Sequence, residues 1–437
     1  MLSWAVAGCA TQGGESKSGP PGAAPNTESA QAADQQIKPY PFKKPLTATV
    51  LGTPSKLQAD LPTKANFSIR TLKPLVERDT PDTLRYARPL QYLLAAQDHP
   101  APLAFVIAGT GASALTSKCV TLSRALYQVG YSVACLPSPT SVTFMLGAAN
   151  HPVPGRMPSD VRDLYRMMQA VRDDVSNGHD VTGYSLSGWS LGATEAAFVA
   201  HLDQRRQVFD FDHVLLINPA VSLWTSVKRM DDLLSENLPG GFDAVPEFLA
   251  QTLGQIEQTQ DSGQPLRFDE DTLYQAYRSG AFDQKQIGAI VGLAFRLSLA
   301  NMAFASDVLT HSDVIVPENV TLGPYDSLGV YLRRSFRMSF ADYIDQLLLP
   351  YWNRDGRDLS RSRLTSEADL HSIAPFLRND DRMAVFTNAD DPILNDSEVD
   401  FLRNTFGDRV RIRPHGGHLG NLSYKKTIHA LQDYFSQ

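Results

Sequence analysis

The sequence predicts an α/β fold in which a mostly parallel sheet carries helices on both faces and a large helical insertion interrupts it. Short apolar runs alternate with amphipathic segments, as in proteins whose parallel sheet is covered by helices. The alternation stops between residues 221 and 380 and then resumes. A serine also lies between two glycines, in GWSLG, where a strand-like run meets a helix-like run.

The strands are predicted from short runs of apolar and β-branched residues bounded by turn residues. PLAFVIAG (102–109) is continuously apolar and ends in glycine, which favours a strand buried on both faces. The predicted strands are ATVLGTP (48–54), NFSIRTL (66–72), LRYARPLQYLLAAQ (84–97), PLAFVIAG (102–109), YSVACLP (131–137), VTGYSLS (181–187), HVLLINP (213–219), RMAVFTN (382–388) and RVRIRP (409–414).

The helices between these strands are predicted from apolar residues at helical spacing and from end signals. Gly130 is a stop signal for the first of them, and Ser159 is a predicted N-cap for the second. The predicted helices are SALTSKCVTLSRALYQVG (113–130), DVRDLYRMMQAVRDDV (160–175), LGATEAAFVAHL (191–202), NDSEVDFLRNTF (395–406) and a last helix over 424–435.

The insertion at 221–380 contains mostly helical patterns, so we predict a cap over the carboxyl ends of the strands, where open α/β sheets bind ligands. Its segment IGAIVGLAFRLSLANMAF (287–304) is apolar enough to suggest a membrane span. Arg296 near the centre and an embedded glycine argue against that interpretation. A buried or substrate-covering helix is the favoured alternative.

Composition limits the classes of partner. Of 437 residues, 43% are hydrophobic and 20% are charged, and the formal net charge is −7. These values are ordinary for a soluble globular enzyme. No long basic run is present, which argues against nucleic acid as a main partner, since binding to its backbone needs clustered Lys and Arg. Oligomeric state is not encoded in any pattern that we recognise.

The N-terminus suggests a lipid anchor. Residues 1–9 read MLSWAVAGC, and the segment ending at Cys9 resembles a bacterial lipobox, although no Lys or Arg precedes it. Residues 10–40 are rich in Gly, Ser, Pro, Gln and Ala, which predicts a flexible tether. Lipidation at Cys9 would place the domain at the bacterial cell envelope, facing the periplasm. The alternative is an ordinary disordered N-terminus.

The other two cysteines, Cys119 and Cys135, lie 16 positions apart. An exported protein could oxidise them to a disulfide, and two buried free thiols are the alternative. Their spacing fits no zinc pattern, so no metal site is predicted.

The serine in GWSLG has a chemical explanation. A tight strand-to-helix turn forces unusual backbone angles on Ser190, and Gly188 and Gly192 remove the Cβ atoms that would collide there. The turn presents the hydroxyl above the sheet. The amide of Leu191, at the positive end of the following helix, then faces the place where a substrate oxyanion would form.

A serine hydroxyl needs a base, and the base needs an orienting acid. Asp390 and Asp391 follow the strand RMAVFTN, and His415 and His418 follow the next strand. Serine, acid and base thus lie at the carboxyl ends of predicted strands, which favours one shared site at that edge of the sheet.

These motifs resemble those of the α/β-hydrolase family. GWSLG matches its nucleophile elbow, and AGTG after PLAFVIAG resembles its oxyanion loop, with Ala108 in place of the usual histidine. NADDPIL resembles the acid loop, and GGHLG (416–420) resembles the histidine loop of the YheT-like branch. The resemblance covers residues 100–220 and 380–437. It implies an α/β-hydrolase core over 41–220 and 381–437, with the cap at 221–380.

The resemblance also implies roles within each pair. The family's acid lies three residues after the strand-ending position, which is occupied here by Asn388, so the count selects Asp391 over Asp390. The GGH pattern selects His418 over His415. The backbone amides of Thr110 and Leu191 would form the oxyanion hole. The family's activity would be hydrolysis of a small-molecule acyl ester by Ser190, His418 and Asp391, with no cofactor.

Three functions other than ester hydrolysis fit parts of the sequence, and the first of them is disfavoured. Gly109-x-Gly111-x-x-Ala114 has the spacing of a dinucleotide-binding turn, but the required acid is missing from CLPSPTS after the next strand. An acyltransferase would use the same catalytic residues with an alcohol in place of water. A non-catalytic binding protein on the same fold is the third alternative.

Overall fold

One sheet of eight strands organises the chain. A computed structural model describes residues 37–87, 89–238, 240–257, 274–275, 277–280 and 282–437, so Cys9 and residues 10–36 of the predicted tether lie outside the described residues. The strands are β1 Phe67–Thr71, β2 Gln91–Ala95, β3 Ala101–Ile107, β4 Ser132–Leu136, β5 Val181–Trp189, β6 His213–Ile217, β7 Met383–Asn388 and β8 Val410–Arg413.

The strand order is β1-β2-β4-β3-β5-β6-β7-β8. β2 pairs antiparallel with β1 and β4, and every other pairing in the described sheet is parallel. From β3 the chain continues to β4 on one side and later to β5 on the other. This reversal opens a crevice at the carboxyl ends of β3 and β5. The predicted α/β-hydrolase fold is confirmed.

Helices cover both faces of this sheet and fill the insertion. The described helices are α1 Pro45–Leu51, α2 Ser117–Gln128, α3 Val142–Gly147, α4 Met157–Ser176, α5 Leu191–Arg206, α6 Leu223–Asn237, α7 Val245–Glu257, α8 Gln284–Thr310, α9 Gly329–Arg337, α10 Phe340–Tyr343, α11 Leu349–Asn353, α12 Arg361–Glu367, α13 Ala374–Asn379, α14 Asp396–Phe406 and α15 Lys425–Phe435.

Alternate residues of β3 enter two different cores. Phe105 and Ile107 pack on one face with side chains of α4 and α5, whereas Ala104 and Val106 pack on the other face with side chains of α2 and α15. All four are fully buried. Successive side chains of a strand point to opposite faces, so a continuously apolar run is what a strand covered on both faces requires.

Two predicted elements near the N-terminus are wrong. The segment 48–54 is not a strand: its first residues belong to helix α1, which has Pro45 in its first turn and ends at Gly52 with φ +66°. Proline at the start and glycine past the end stabilise a helix more than the β-branched residues favour a strand. The predicted strand 84–97 is also shorter, because Asp82–Ala87 is a 3-10 helix and only β2 remains.

The predicted N-cap Ser159 is also wrong. Helix α4 begins at Met157, and Arg156 is its N-cap without a side-chain hydrogen bond. Proline in the first turn, at position 158, explains the earlier start, since its fixed φ suits the first turn and its missing N–H is not needed there.

Helix α8 is the apolar segment that suggested a membrane span. By length and composition it could cross a membrane, yet 61% of its most apolar 18-residue stretch is buried inside the protein. Arg296 near its centre forms an ion pair with Asp231 of α6 at 2.6 Å. A Cβ on Gly292 would lie 2.6 Å from the backbone nitrogen of Leu234, so the glycine allows α6 and α8 to pack closely.

A disulfide joins Cys119 in the first turn of α2 to Cys135 in β4, with their Cα atoms 5.9 Å apart. Both residues are fully buried. The bond therefore attaches the covering helix α2 to β4, the strand that follows it in the chain.

We expect removal of this disulfide to destabilise the fold. A Cys119→Ala/Cys135→Ala variant should lose about 3 kcal/mol of unfolding free energy, because the bridge closes a loop of 16 residues in the unfolded chain. Denaturant unfolding with and without dithiothreitol measures this loss. The double variant should not respond to the reductant. Equal stability of oxidised and reduced parent protein would contradict the prediction.

Candidate active site

Ser190 occupies the sharp turn between β5 and α5. Its backbone has φ +57° and ψ −128°, which is uncommon for a residue with a side chain. Such a conformation costs about 1–3 kcal/mol and persists only when neighbouring structure enforces it. Here the Ser190 amide donates a hydrogen bond to the carbonyl of Ile217 at the end of β6, at 2.9 Å.

The flanking glycines are required by close backbone approach. A Cβ on Gly188 would lie 2.2 Å from the carbonyl oxygen of Gly192. A Cβ on Gly192 would in turn lie 2.3 Å from the carbonyl oxygen of Ile107 in β3. No side chain fits at either position, so the two glycines let α5 start directly above the sheet.

His418 lies beside Ser190, 228 residues further along the chain. Its Nε2 is 2.9 Å from Ser190 Oγ, within hydrogen-bond distance. Its Nδ1 is 3.1 Å from Asp391 Oδ1 and 3.0 Å from Oδ2. The imidazole is therefore held between a hydroxyl and a carboxylate, and both ring nitrogens are engaged. Exposure is 7% for Ser190, 8% for His418 and 2% for Asp391.

Asp391 is fixed by two further donors. The side-chain nitrogen of Asn218 donates to Asp391 Oδ2 at 2.7 Å, and the amide of Ile393 donates to Oδ1 at 3.1 Å. The two donors hold the carboxyl group in one orientation, facing His418 on the side of the ring opposite Ser190.

The alternative acid and base form a separate, neighbouring pair. Asp390 Oδ1 accepts a hydrogen bond from the amide of Gly417 at 2.9 Å. Asp390 Oδ2 lies 3.5 Å from Nδ1 of His415, whose side chain is 41% exposed. The structure brings Asp391 and His418, rather than this pair, to Ser190.

The loop after β3, which contains the predicted oxyanion residue Thr110, passes beside Ser190. A Cβ on Gly109 would lie 3.1 Å from Ser190 Cβ, so this loop passes directly beside the nucleophile. The amide of Gly111 donates to Thr140 Oγ1 at 2.7 Å, which fixes the loop. Thr110, between these glycines, and Leu191, the first residue of α5, both border the same cleft.

That cleft, which we call the covered cleft, has a volume of about 720 Å³, part of it open to solvent. The insertion supplies much of its apolar wall through α6, α8 and α10. The residues that line it are Thr110, Thr140, Pro154, Gly155, Met157, Asp160, Leu191, Glu195, Leu223, Trp224, Val227, Met302, Phe340, Tyr343, Ile344, Leu348, Leu364, Thr365 and Ala368.

Helix α1 supports the histidine loop from the far end of the chain. Thr49 Oγ1 accepts a hydrogen bond from the amide of His418 at 2.9 Å and donates to the carbonyl of Pro45 at 2.8 Å. Gly417, with φ +55°, allows the contact, since a Cβ there would lie 2.2 Å from the carbonyl oxygen of Pro45. Thr49 is therefore a positioning residue for the imidazole.

Thr49→Val should lower kcat by about tenfold, because valine keeps the shape but leaves the buried His418 amide without an acceptor, a loss of about 1–3 kcal/mol. The measurement is kcat for p-nitrophenyl esters together with the rate of fluorophosphonate labelling, both of which should fall if the imidazole is misplaced. Thr47→Val is the matched control, since the Thr47 hydroxyl contacts Gln284 rather than the histidine loop. Equal kcat values for the two variants would exclude a positioning role.

Sequence reasoning missed several residues near the site. Asn218 directly follows β6, and a polar residue at the carboxyl end of a central strand was a usable signal. Thr49 gave none, because it lies 369 residues from His418 in the chain. Asp160 and Glu195 fit the helical patterns of their segments and carry no other signal in the sequence, although both line the covered cleft.

Comparison of the whole chain with solved structures found similarity to proteins that include several esterases. A bacterial brefeldin A esterase, described as a homologue of human hormone-sensitive lipase, is 14% identical, with 90% of this chain and 84% of that chain covered and a TM-score of 0.41. An esterase from Pyrobaculum calidifontis is 16% identical, covering 94% and 99%, with a TM-score of 0.38. Est1E from Butyrivibrio proteoclasticus is 9% identical, covering 79% and 95%, with a TM-score of 0.36.

Comparison by sequence gave no relatives. No protein-family profile matches the chain, and no curated protein matches it significantly.

Proposed function

We propose that the protein is a serine hydrolase that cleaves carboxylic esters through an acyl-enzyme. The observation that carries the proposal is the hydrogen-bonded series in which Ser190 Oγ lies 2.9 Å from His418 Nε2 and His418 Nδ1 lies 3.0 Å from Asp391 Oδ2. A nucleophile, a base and an orienting acid at these distances have the arrangement needed for acyl transfer.

In the first half-reaction, His418 Nε2 takes the proton of Ser190 as its Oγ attacks the ester carbonyl carbon. The carbonyl oxygen becomes an oxyanion, and Asp391 stabilises the imidazolium that forms. Collapse of the tetrahedral intermediate breaks the bond to the leaving alcohol, which takes the proton from His418. In the second half-reaction, His418 activates water, which releases the acid and regenerates Ser190.

The backbone amides of Thr110 and Leu191 are proposed to hold the oxyanion. Leu191 starts α5, whose N-terminal amides carry a partial positive charge. Thr110 lies in the loop beside Ser190. One such donor typically contributes about 3 kcal/mol of transition-state stabilisation. Because both groups belong to the backbone, side-chain changes at these two positions should matter less than loss of the serine.

The covered cleft is proposed to bind the acyl portion of the ester. Both proposed oxyanion residues border the cleft, so its walls continue from the place where the ester carbonyl would lie. The mostly apolar walls suit a lipophilic acyl chain.

From the lipobox resemblance at Cys9, we also propose that the enzyme is attached to the bacterial cell envelope through a lipid on this cysteine. Metabolic labelling with a clickable palmitate analogue tests the attachment. Parent protein should incorporate the label and fractionate with membranes, and a Cys9→Ser variant should do neither. Labelling that is equal in both proteins would overturn the anchor without affecting the proposed reaction.

A fluorophosphonate probe tests the catalytic proposal. It phosphonylates a serine only when that serine is activated, so the parent protein should gain one adduct, which peptide mass spectrometry should locate on Ser190. A panel of p-nitrophenyl esters of increasing chain length then measures acyl preference. Absence of both labelling and ester turnover in folded protein would indicate a non-catalytic binding protein. Turnover that increases with added alcohols would indicate an acyltransferase.

A further inference from the structure

Two acidic residues line the covered cleft from neighbouring helices. Asp160 on α4 and Glu195 on α5 are the charged residues among the described residues that line it. They are 8% and 1% exposed. Asp160 Oδ2 accepts a hydrogen bond from the amide of Gly155 at 2.7 Å. Glu195 Oε2 is buried and has no hydrogen-bond partner in the described part of the chain. A buried carboxyl oxygen of this kind requires an explanation.

Glu195 lies close to the reacting centre. It follows Leu191 by four positions on α5, so both residues share one face of the helix, about 6 Å apart along its axis. Helical side chains lean toward the N-terminus, which brings the carboxyl of Glu195 nearer to the proposed oxyanion amide. A group bound by Glu195 would thus be attached a few carbons from the ester carbonyl.

The electrostatic environment disfavours negative charge here. Burial raises the pKa of Asp160 to about 8, although the hydrogen bond from the amide of Gly155 opposes this shift. Burial also raises the pKa of Glu195, and the nearby Asp160 raises it further. Around Asp160, Asp163 adds to the shift, whereas Arg162 and Arg156 reduce it. Arg156 is itself paired with Glu367 at 3.3 Å.

We propose that Glu195, with Asp160 beside it, binds an ammonium group carried by the acyl chain of the substrate. The proposal rests on the proposed ester hydrolysis and adds the substrate class. An ammonium donates to the unpartnered Glu195 oxygen, and its positive charge compensates the negative charge that burial disfavours on this carboxyl group, which a neutral hydroxyl does not do. The apolar walls contact the methylene stem between this group and the ester.

Matched esters test the subsite. In p-nitrophenyl 6-aminohexanoate an ammonium replaces the terminal methyl of p-nitrophenyl heptanoate, and the 6-hydroxyhexanoate ester carries a neutral donor. We expect kcat/KM of the parent enzyme to be at least about tenfold higher for the amino ester than for the heptanoate, with the hydroxy ester between them. In Glu195→Gln, which keeps the side-chain volume, this ratio should fall by about tenfold.

Asp173→Asn is the matched control, because Asp173 lies on the same helix as Asp160 but is exposed and does not line the covered cleft. It should keep the ratio of the parent enzyme. Thermal melting and fluorophosphonate labelling verify that each variant is folded and has an activated serine. Turnover of the heptanoate without preference for the amino ester, or an unchanged ratio in Glu195→Gln, overturns the subsite alone. Failure of the parent enzyme to hydrolyse any of the three esters overturns the hydrolase function and the subsite with it.

Discussion

Ser190→Ala is expected to lower kcat for p-nitrophenyl esters by about 10⁵-fold or more, the largest effect that we predict. The substitution removes the Oγ that lies 2.9 Å from His418 Nε2, so neither the acyl-enzyme nor the phosphonate adduct can form. Residual turnover would come from oxyanion stabilisation and binding alone. Stopped assays at high enzyme concentration, together with probe labelling, measure both losses.

Ser187→Ala is the matched control for this experiment. Ser187 belongs to β5, the strand that ends just before Ser190, and it is buried. Its Oγ donates to the carbonyl of Leu215 at 2.9 Å. Its loss should cost about 1 kcal/mol of stability and leave kcat within about threefold. If Ser190→Ala hydrolysed esters as fast as Ser187→Ala, the acyl-enzyme mechanism would be wrong.

Asp391→Asn is expected to lower kcat by about 10⁴-fold. Both carboxylate oxygens already accept from donors, Oδ2 from Asn218 and Oδ1 from the Ile393 amide. In asparagine, an NH₂ group replaces one of these oxygens, so at either position it would point at a group that also donates. Where this NH₂ group also donates to His418 Nδ1, that nitrogen has to accept. The ring proton then lies on Nε2, and His418 can no longer take the proton of Ser190. Steady-state kinetics near neutral pH, with probe labelling rates, measure the loss.

Asp390→Asn provides the comparison at the adjacent position. Its Oδ1 accepts from the amide of Gly417, which an asparagine oxygen can also do, and its other contact is to the half-exposed His415. Because such exposed pairs contribute little, kcat should stay within about threefold of the parent value. A larger loss in Asp390→Asn than in Asp391→Asn would reverse the assignment of the acid.

Much of the central sheet could be predicted because its signals are local. PLAFVIAG and HVLLINP are continuous apolar runs, and a strand buried on both faces tolerates little else. The elbow was recognisable for the same reason, since Gly188 and Gly192 occupy positions where any Cβ would collide with backbone. Asp391 and His418 follow strands whose ends meet at one edge of the sheet, so chain order alone indicated their proximity to Ser190.

The parts that sequence reasoning missed depend on contacts between distant segments. The residues 48–54 have strand-like composition, but the packing of α1 against the histidine loop and the signals at its ends favour a helix. The unpartnered oxygen of Glu195 results from how the cleft is assembled, so no local sequence pattern indicates it. The sequence alone leaves the pairing of Cys119 with Cys135 open, because two thiols 16 positions apart meet only when α2 lies against β4.

The hydrogen bond between Thr49 and the His418 amide spans 369 positions and has a consequence for biosynthesis. The Thr49 hydroxyl can hold the histidine loop only after the segment around His418 has been synthesised and has docked on α1. Ribosome-bound chains that end before His418 should therefore be inert toward esters, and fragments that lack α1 should lose at least the tenfold expected for Thr49→Val. Under the proposed function, esterase activity would report that these two distant segments have docked on each other.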